Sequence, residues 1–239
     1  MPKKSKKQKK QKKPKKEPES TSRSHFQLAL NAVFDPPFTK YKGATKKILV
    51  EQHFDGIFSV HRFLTPGECT NLIQLAESVG FEQTDQRETR ESAHRRNGRI
   101  QVNSSSLAEK LWSRCCNMFP EHEDAAPVGL SDNFRFYKYN KGDRFGMHVD
   151  DSVLHGDLVS TRYTLLLYLN GDELEGGATN FYTGKYSKKL KLVVQVKPAE
   201  GLALAHQHFP SCLLHEGSAV TSGVKYLLRT DVLYRALVE

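Results

Sequence analysis

The stretch NFRFYKYNKGDRFGMHVDD, residues 133–151, decides the fold. Two short β-type runs, NFRFYKYN and FGMHVDD, stand on either side of a glycine-containing turn. The same punctuation continues through STRYTLLLYLN, GGATNFYTG, KLVVQVKP, GLALAH, CLLHEGSAV and KYLLRTDVLY. Eight short strands over about 105 residues predict a sandwich or jelly roll rather than a parallel sheet with helices between its strands. Within FGMHVDD, side chains two apart on a strand share a face, so His148 and Asp150 present an imidazole and a carboxylate to one point while Asp151 points away.

Upstream, the helix signals are clear. In DGIFSVHRFLTPGECTNLIQLAESVGF (55–81) a strand and turn lead into a helix capped by Thr65, with Pro66 in its first position, Glu68 at the capping-box spacing and Gly80 as its stop. Leu72, Ile73, Leu75, Ala76 and Val79 form its apolar stripe. A second helix is predicted over 104–119, with Leu107, Leu111, Cys115 and Met118 on one face, and the polar, basic segment between the helices (88–103) reads as a loop. The predicted organisation is a tail over 1–24, a strand and helix support region over 25–132, and the jelly-roll core over 133–239, an α+β chain that is mainly β with flanking helices.

Charge is distributed unevenly. The 239-residue chain has a formal net charge of +9, but residues 1–16 hold ten lysines and no acid. Removing those ten from 36 basic residues leaves 26 against 27 acidic ones, so the remainder is close to neutral. A lysine run mixed with Gln, Pro and Ser buries no apolar surface; it reads as a disordered nuclear or nucleolar address, or an RNA tether. No apolar run approaches the roughly 20 residues of a membrane span, and the amino terminus has no signal-peptide core. The expected location is therefore nuclear or cytoplasmic, not secreted, with no membrane partner. Cys69, Cys115, Cys116 and Cys212 lack zinc-knuckle spacing and read as buried small hydrophobes.

His215, in LLHEGSAV, stands 65 residues beyond Asp150 near the end of a late strand. Two histidines and one carboxylate make the facial set that suits Fe(II) and leaves positions open. His155 is set aside as a metal ligand because it stands in the glycine-containing loop DSVLHGDL, and His206 and His208, in AHQHFPS, because no carboxylate partner is implied for them. Glu173 and Glu175 read as turn residues.

YNKGDRFGMHVDDS, RYTLLLYLNGDELEGGATNFY and LLHEGSAVTSGVKYLLRTDVLY together resemble the catalytic core of the 2-oxoglutarate and Fe(II)-dependent dioxygenases, prolyl 4-hydroxylase-like branch. FLTPGECTNLIQLAE is similar to the opening strand and helix of that branch, so the resemblance spans roughly residues 55 to 236. It implies a double-stranded β-helix (jelly roll), His148, Asp150 and His215 as iron ligands, and Lys225, ten residues after His215, as partner of the cosubstrate's distal carboxylate. Tyr139, nine residues before His148, matches a tyrosine that hydrogen-bonds the same carboxylate, and Tyr168 is a second candidate. Positions ten apart on either side of the GSAVTSG turn suit neighbouring strands, with Lys225 facing inward and Tyr226 outward.

The chemistry the resemblance implies is C–H hydroxylation coupled to oxidative decarboxylation of 2-oxoglutarate by O2, with ascorbate as an optional reductant. The expected substrate is a peptidyl proline of an intracellular protein. Two alternatives stand beside it. Arg229 and Arg235 have the RxxxxxR spacing of the AlkB-like nucleic-acid demethylases, which makes Arg229 a rival to Lys225 for the cosubstrate; the other alternative is a non-catalytic binding module on the same fold.

Overall fold

The computed structural model describes Phe26, Ala29, Leu30 and residues 49–89, 93–184 and 189–237; the lysine-rich tail expected over 1–24 lies outside the described residues. The described chain runs β1 (Val50–Phe54), β2 (Ile57–Val60), helix α1 (Pro66–Val79), β3 (Glu82–Gln86), β4 (Arg95–Asn103), helix α2 (Ser105–Cys115) and β5 (Ala125–Leu130). There follow β6 (Asn133–Tyr139), β7 (Arg144–His148), β8 (Leu154–His155), β9 (Val159–Tyr168), β10 (Glu175–Gly176), β11 (Thr179–Thr183) and β12 (Lys191–Val196). The last four strands are β13 (Ala203–Gln207), β14 (Leu214–Gly217), β15 (Val220–Ser222) and β16 (Lys225–Ala236). All pairings are antiparallel, and one sheet runs β1-β2-β13-β9-β16-β6-β4-β7-β14-β11-β12 and curls into a nearly closed barrel, the expected jelly roll.

Period-two alternation divides the sheet's faces between two cores. Phe134, Phe136, Leu165, Leu167, Ala203, Ala205 and Leu228 face outward and pack beneath the helices with Leu72, Ala76, Leu107 and Leu111. Tyr137, Tyr139, Leu166, Tyr168, Leu204 and Leu227, one residue out of phase, face inward and meet Phe181, Val194 and Val196 from β11 and β12. The barrel interior is therefore lined by both halves of the sheet.

Helix α1 forms as its sequence dictates. Thr65 accepts a hydrogen bond from the Glu68 amide (3.2 Å), and the Glu68 carboxylate accepts one from the Thr65 amide (2.9 Å), a reciprocal capping box. Glu68 also receives Arg114 of α2 at 2.5 and 3.0 Å, which ties the two helices together. Gly201, at φ +73°, lies so close to this corner that a Cβ would stand 2.3 Å from the Leu64 carbonyl oxygen, so only glycine fits.

Three sequence readings need correction. The segment 88–103 is not a plain loop, because residues 95–103 form β4, paired with β3, β6 and β7. Asn97 is fully buried there, and pairing on both edges rather than local hydrophobicity makes the strand. Helix α2 ends at Cys115, and Cys116–Met118 form a single 3-10 turn. β14 and β16 are not neighbours: β14 pairs with β7 and β11, whereas β16 pairs with β5, β6 and β9, so His215 and Lys225 come from different parts of the barrel wall. Tyr226 faces outward but is covered, its ring beside Phe81 and its hydroxyl donating to Glu77 (2.6 Å).

Because Glu68 serves both the cap and Arg114, the two substitutions at this corner differ in cost. Thr65→Ala is expected to lower unfolding free energy by about 1 kcal/mol, the usual value of an N-cap, and Glu68→Ala by about 2–3 kcal/mol because it also removes the ion pair with the half-buried Arg114 guanidinium. Urea denaturation midpoints at constant m-value check the order; equal effects would show that the Arg114 pair contributes nothing.

Candidate active site

The site begins with a cross-strand pair. In the β7–β14 ladder His148 stands opposite His215, with ring centroids 4.2 Å apart. β7 ends at His148, so Asp150 is not on the strand as its spacing suggested, yet the alternation persists: Val149 and Asp151 are exposed and Asp150 is buried. His148 Nε2 lies 3.6 Å from Asp150 Oδ1 and His215 Nε2 lies 3.8 Å from Asp150 Oδ2. One ligand atom from each of the three lies within 4.8 Å of the others.

Both imidazoles are oriented from behind. Nδ1 of His148 bonds the Gly146 carbonyl and Nδ1 of His215 the Leu213 carbonyl, each at 2.9 Å, so each ring carries its proton on Nδ1 and turns a bare Nε2 to the site. Burial pushes both rings below the ordinary histidine pKa, His148 to about 3, which keeps them in the neutral, ligating form. Burial alone would raise the Asp150 carboxyl, but the Arg229 guanidinium, followed by the surrounding imidazoles, holds it well below the usual range. Two neutral imidazoles and an ionised carboxylate on one side of a cavity fit a hexacoordinate, oxygen-activating metal such as Fe(II).

Arg229 faces inward on β16 and places Nη1 3.3 Å from Asp150 Oδ1 and Nη2 3.0 Å from Oδ2. Its remaining reach goes to Asp231, 3.3 Å away, which Arg135 also grips at 2.5 Å. Thr164 donates to Asp150 Oδ2 (2.8 Å) and sits 2.9 Å from His208 Nε2, and His208 Nδ1 lies 3.1 Å from the Thr161 hydroxyl. Asp150 is therefore held by a buried set of alternating charges and polar side chains.

Lys225 presents the opposite situation. It stands opposite Tyr139 in the β16–β6 ladder, 3% exposed, and its Nζ donates to the Gly177 carbonyl at 2.6 Å. Among the described residues it has no acidic partner, and burial lowers its pKa to about 7. The rings of Tyr139 and Tyr168 lie 5.5 and 5.2 Å from Nζ. Gly177 has φ +67°, and a Cβ there would stand 3.2 Å from Lys225 Cδ, so the EGGAT turn is shaped around the lysine. Tyr139, Lys225, Arg229, His148, Asp150 and His215 border one cavity; Tyr168 lies behind its wall, with its hydroxyl 2.6 Å from that of Thr179.

Several residues at the site escaped the sequence reading. His206 is 2% exposed and its Nε2 lies 3.7 Å from Asp150 Oδ2; counting two on from inward-facing Leu204 would have placed it in the barrel. Cys212 is not a core residue but half-buried beside the site, where its Sγ accepts from the Asp150 amide at 3.2 Å; burial pushes its thiol up to about 12. Cys116 is also only half-buried, whereas Cys69 and Cys115 are in the core as expected. Arg95 lies 3.7 Å over the Phe145 ring, which stacks on His148 at 3.7 Å, so β4 reaches the rim. Glu216 borders the cavity and accepts from Tyr182 (2.6 Å) and Asn180 (3.2 Å). His155 is exposed on β8, away from the donors, and Glu175 is exposed on β10.

The sequence profile of the 2OG-Fe(II) oxygenase superfamily matches residues 134–230, which spans β6 to β16 and every donor described above. No curated protein matches the chain. Among solved structures, the fold is similar to viral collagen prolyl hydroxylase from Paramecium Bursaria Chlorella virus-1 in its 2OG complex, at 17% identity and a TM-score of 0.53, covering 74% of this chain and 96% of the other. It is also similar to a Trichoplax adhaerens prolyl hydroxylase in complex with a hypoxia inducible factor peptide fragment, at 15% identity and a TM-score of 0.52, covering 89% and 90%. A third is a 2OG-Fe(II) oxygenase family oxidoreductase from Burkholderia pseudomallei, at 13% identity and a TM-score of 0.50, covering 74% and 85%. The profile match covers the strands that bring the two imidazoles and the carboxylate together, and this 2OG-Fe(II) oxygenase domain over residues 134–230 marks a dioxygenase that draws on Fe(II), 2-oxoglutarate and O2.

Proposed function

We propose that the protein is a prolyl 4-hydroxylase-like dioxygenase in which His148, Asp150 and His215 hold Fe(II), Lys225 binds the distal carboxylate of 2-oxoglutarate, and a peptidyl proline of a protein is hydroxylated. The observation that carries this reading is Lys225: a buried ammonium without a counter-ion among the described residues, facing the same cavity as the three donors. Burying a cation costs free energy unless an anion meets it, and a dicarboxylate bound toward the metal supplies one. Tyr139, opposite Lys225, adds its hydroxyl to that carboxylate, and Tyr168 supports the lysine from below. When bound, iron with 2-oxoglutarate supplies the oxidant for a C–H bond. The chain's own part is to fix the two Nε2 atoms and the Asp150 carboxylate, hold the cosubstrate's far end, and keep bulk water out by lining the barrel with Phe181, Leu166 and Leu227. Peptide as substrate class is supported by the likeness to the peptide-bound Trichoplax fold.

The AlkB-like alternative asks Arg229 to take the cosubstrate. Arg229 already faces two carboxylates, Asp150 and Asp231, and this favours Lys225.

Anaerobic addition of Fe(II) and 2-oxoglutarate is expected to produce the visible charge-transfer absorption of the chelate in the wild-type protein and none in His148→Ala; a band that persists in the variant would remove His148 from the ligand set. Lys225→Ala should raise the KM for 2-oxoglutarate about 10–100-fold, the loss of one charge-assisted bond, whereas Arg229→Gln should weaken iron binding and leave that KM unchanged at saturating iron. The reverse pattern would favour the AlkB-like reading.

Affinity for 2-oxoglutarate should also depend on pH through Lys225. Its pKa is lowered to about 7 in the free protein, and an anion favours the protonated form. Binding is then strongest below pH 7 and weakens about tenfold per pH unit above it, until the higher pKa of the complex is passed. Tyr139 and Tyr168, the neighbouring titratable groups, are pushed upward by burial and do not titrate in this window. Calorimetric titrations between pH 6.5 and 8.5 on wild type and Lys225→Arg check this, the variant being flat.

A further inference from the structure

A second set of metal-binding side chains overlaps the first. Ligand atoms of His206, Cys212 and His215 lie within 4.8 Å of one another, the same limit met by those of His148, Asp150 and His215. The two sets share His215 and differ in softness. A thiolate with two imidazoles suits Zn(II) and other borderline or soft ions, whereas two imidazoles with a carboxylate suit Fe(II).

Independent of the cysteine, His206 points to a ligand. It is 2% exposed, and its Nδ1 has no hydrogen-bond partner among the described residues. A buried imidazole nitrogen left unpaired is costly, and an ion is one of its ordinary explanations. Phe181 lies edge-on to His206 and stacks on His215, both at 5.3 Å, so the two rings share one wall. Cys212 is tethered by the Asp150 amide, and its Sγ lies beside the His215 ring, 3.8 Å from Nδ1; because Nδ1 gives its proton to the Leu213 carbonyl, the lone pair that His215 offers is on Nε2.

We propose that His206, Cys212 and His215 form an inhibitory site for Zn(II), or an ion of similar softness, whose occupation withdraws His215 from the iron set. Binding itself stands on these three residues alone; only the inhibition rests on the iron reading above. On binding, the Sγ–H bond gives way to an Sγ–metal bond, the thiol proton leaves to solvent, each imidazole contributes a lone pair, and no electron is transferred. Tetrahedral zinc has Zn–S of about 2.3 Å and Zn–N of about 2.0 Å, so the donors close by about 1 Å. Two dications a few ångströms apart, with one carboxylate beside them, repel strongly, which makes occupation exclusive.

The test uses the full-length, metal-free protein titrated anaerobically with Cd(II), followed by the ultraviolet thiolate-to-cadmium absorption. The expected result is one Cd(II) per chain, absorption lost in Cys212→Ser, and affinity weakened about tenfold or more in His206→Phe. Prior loading with Fe(II) and 2-oxoglutarate should suppress the signal, and Zn(II) inhibition of 2-oxoglutarate turnover should weaken by a similar factor in Cys212→Ser. No thiolate absorption in the wild-type protein, or the same absorption in Cys212→Ser, overturns the proposal; an affinity unchanged by His206→Phe overturns it as well. The iron chelate band is expected in Cys212→Ser, which separates failure of this site from failure of the iron site. Circular dichroism verifies the fold of each variant, and if Cys212→Ser does not fold, His206→Phe decides.

Discussion

The alternation of β16 is the constraint on which the rest depends. This twelve-residue strand pairs with β5, β6 and β9, and its period of two sends Lys225, Leu227, Arg229 and Asp231 into the barrel while Tyr226 and Leu228 turn to the helices. A slip of one residue would put Tyr226 and Leu228 among the donors and the charges beneath α1. Packing under the helices and the electrostatics of the cavity therefore fix the same register.

Charge inside the barrel is balanced at one end and unbalanced at the other. Asp150, Arg229, Asp231 and Arg135 form an alternating chain in which each ion meets an opposite one, and Thr164 adds a hydroxyl to Asp150. Such a set costs desolvation energy, which the mutual attraction offsets only while every member is present. It holds the carboxylate between two imidazoles without contributing much net stability. Among the described residues Lys225 has no such offset, and its ammonium is supported by one carbonyl and two aromatic faces. A cation without an acidic partner among the described residues, facing a charge-balanced set of imidazoles and carboxylate, gives the cavity a direction along which a dicarboxylate can lie.

Much of this was legible in the chain because it depends on local signals. The capping box at Thr65 and Glu68, the glycine stops and the alternating runs after residue 133 each follow from nearby sequence. That His148, Asp150 and His215 converge was expected from the H-x-D spacing and the family resemblance, although the β7–β14 ladder that brings the two histidines together was not. What stayed hidden is non-local. β4 has polar residues at most of its positions and is a strand only because β3, β6 and β7 flank it. Arg229 looked like a rival to Lys225, since nothing in sequence shows that Asp150 and Asp231 converge on it. Cys212 looked like a core residue because a thiol carries no sequence mark of what it faces.

His206 sharpens the physical argument about the site. Its neighbours on the inner face of β13 and β11, Leu204 and Phe181, are apolar, and an apolar side chain at the same position would pack there without an orphaned nitrogen. Burial keeps His206 neutral, and the main countercharge of Asp150 is Arg229. With packing and charge both satisfied without it, what the imidazole contributes is a lone pair. A lone pair beside Cys212 and His215 is of use to a metal ion, and the ion that such a set prefers differs from the one that His148 and Asp150 prefer.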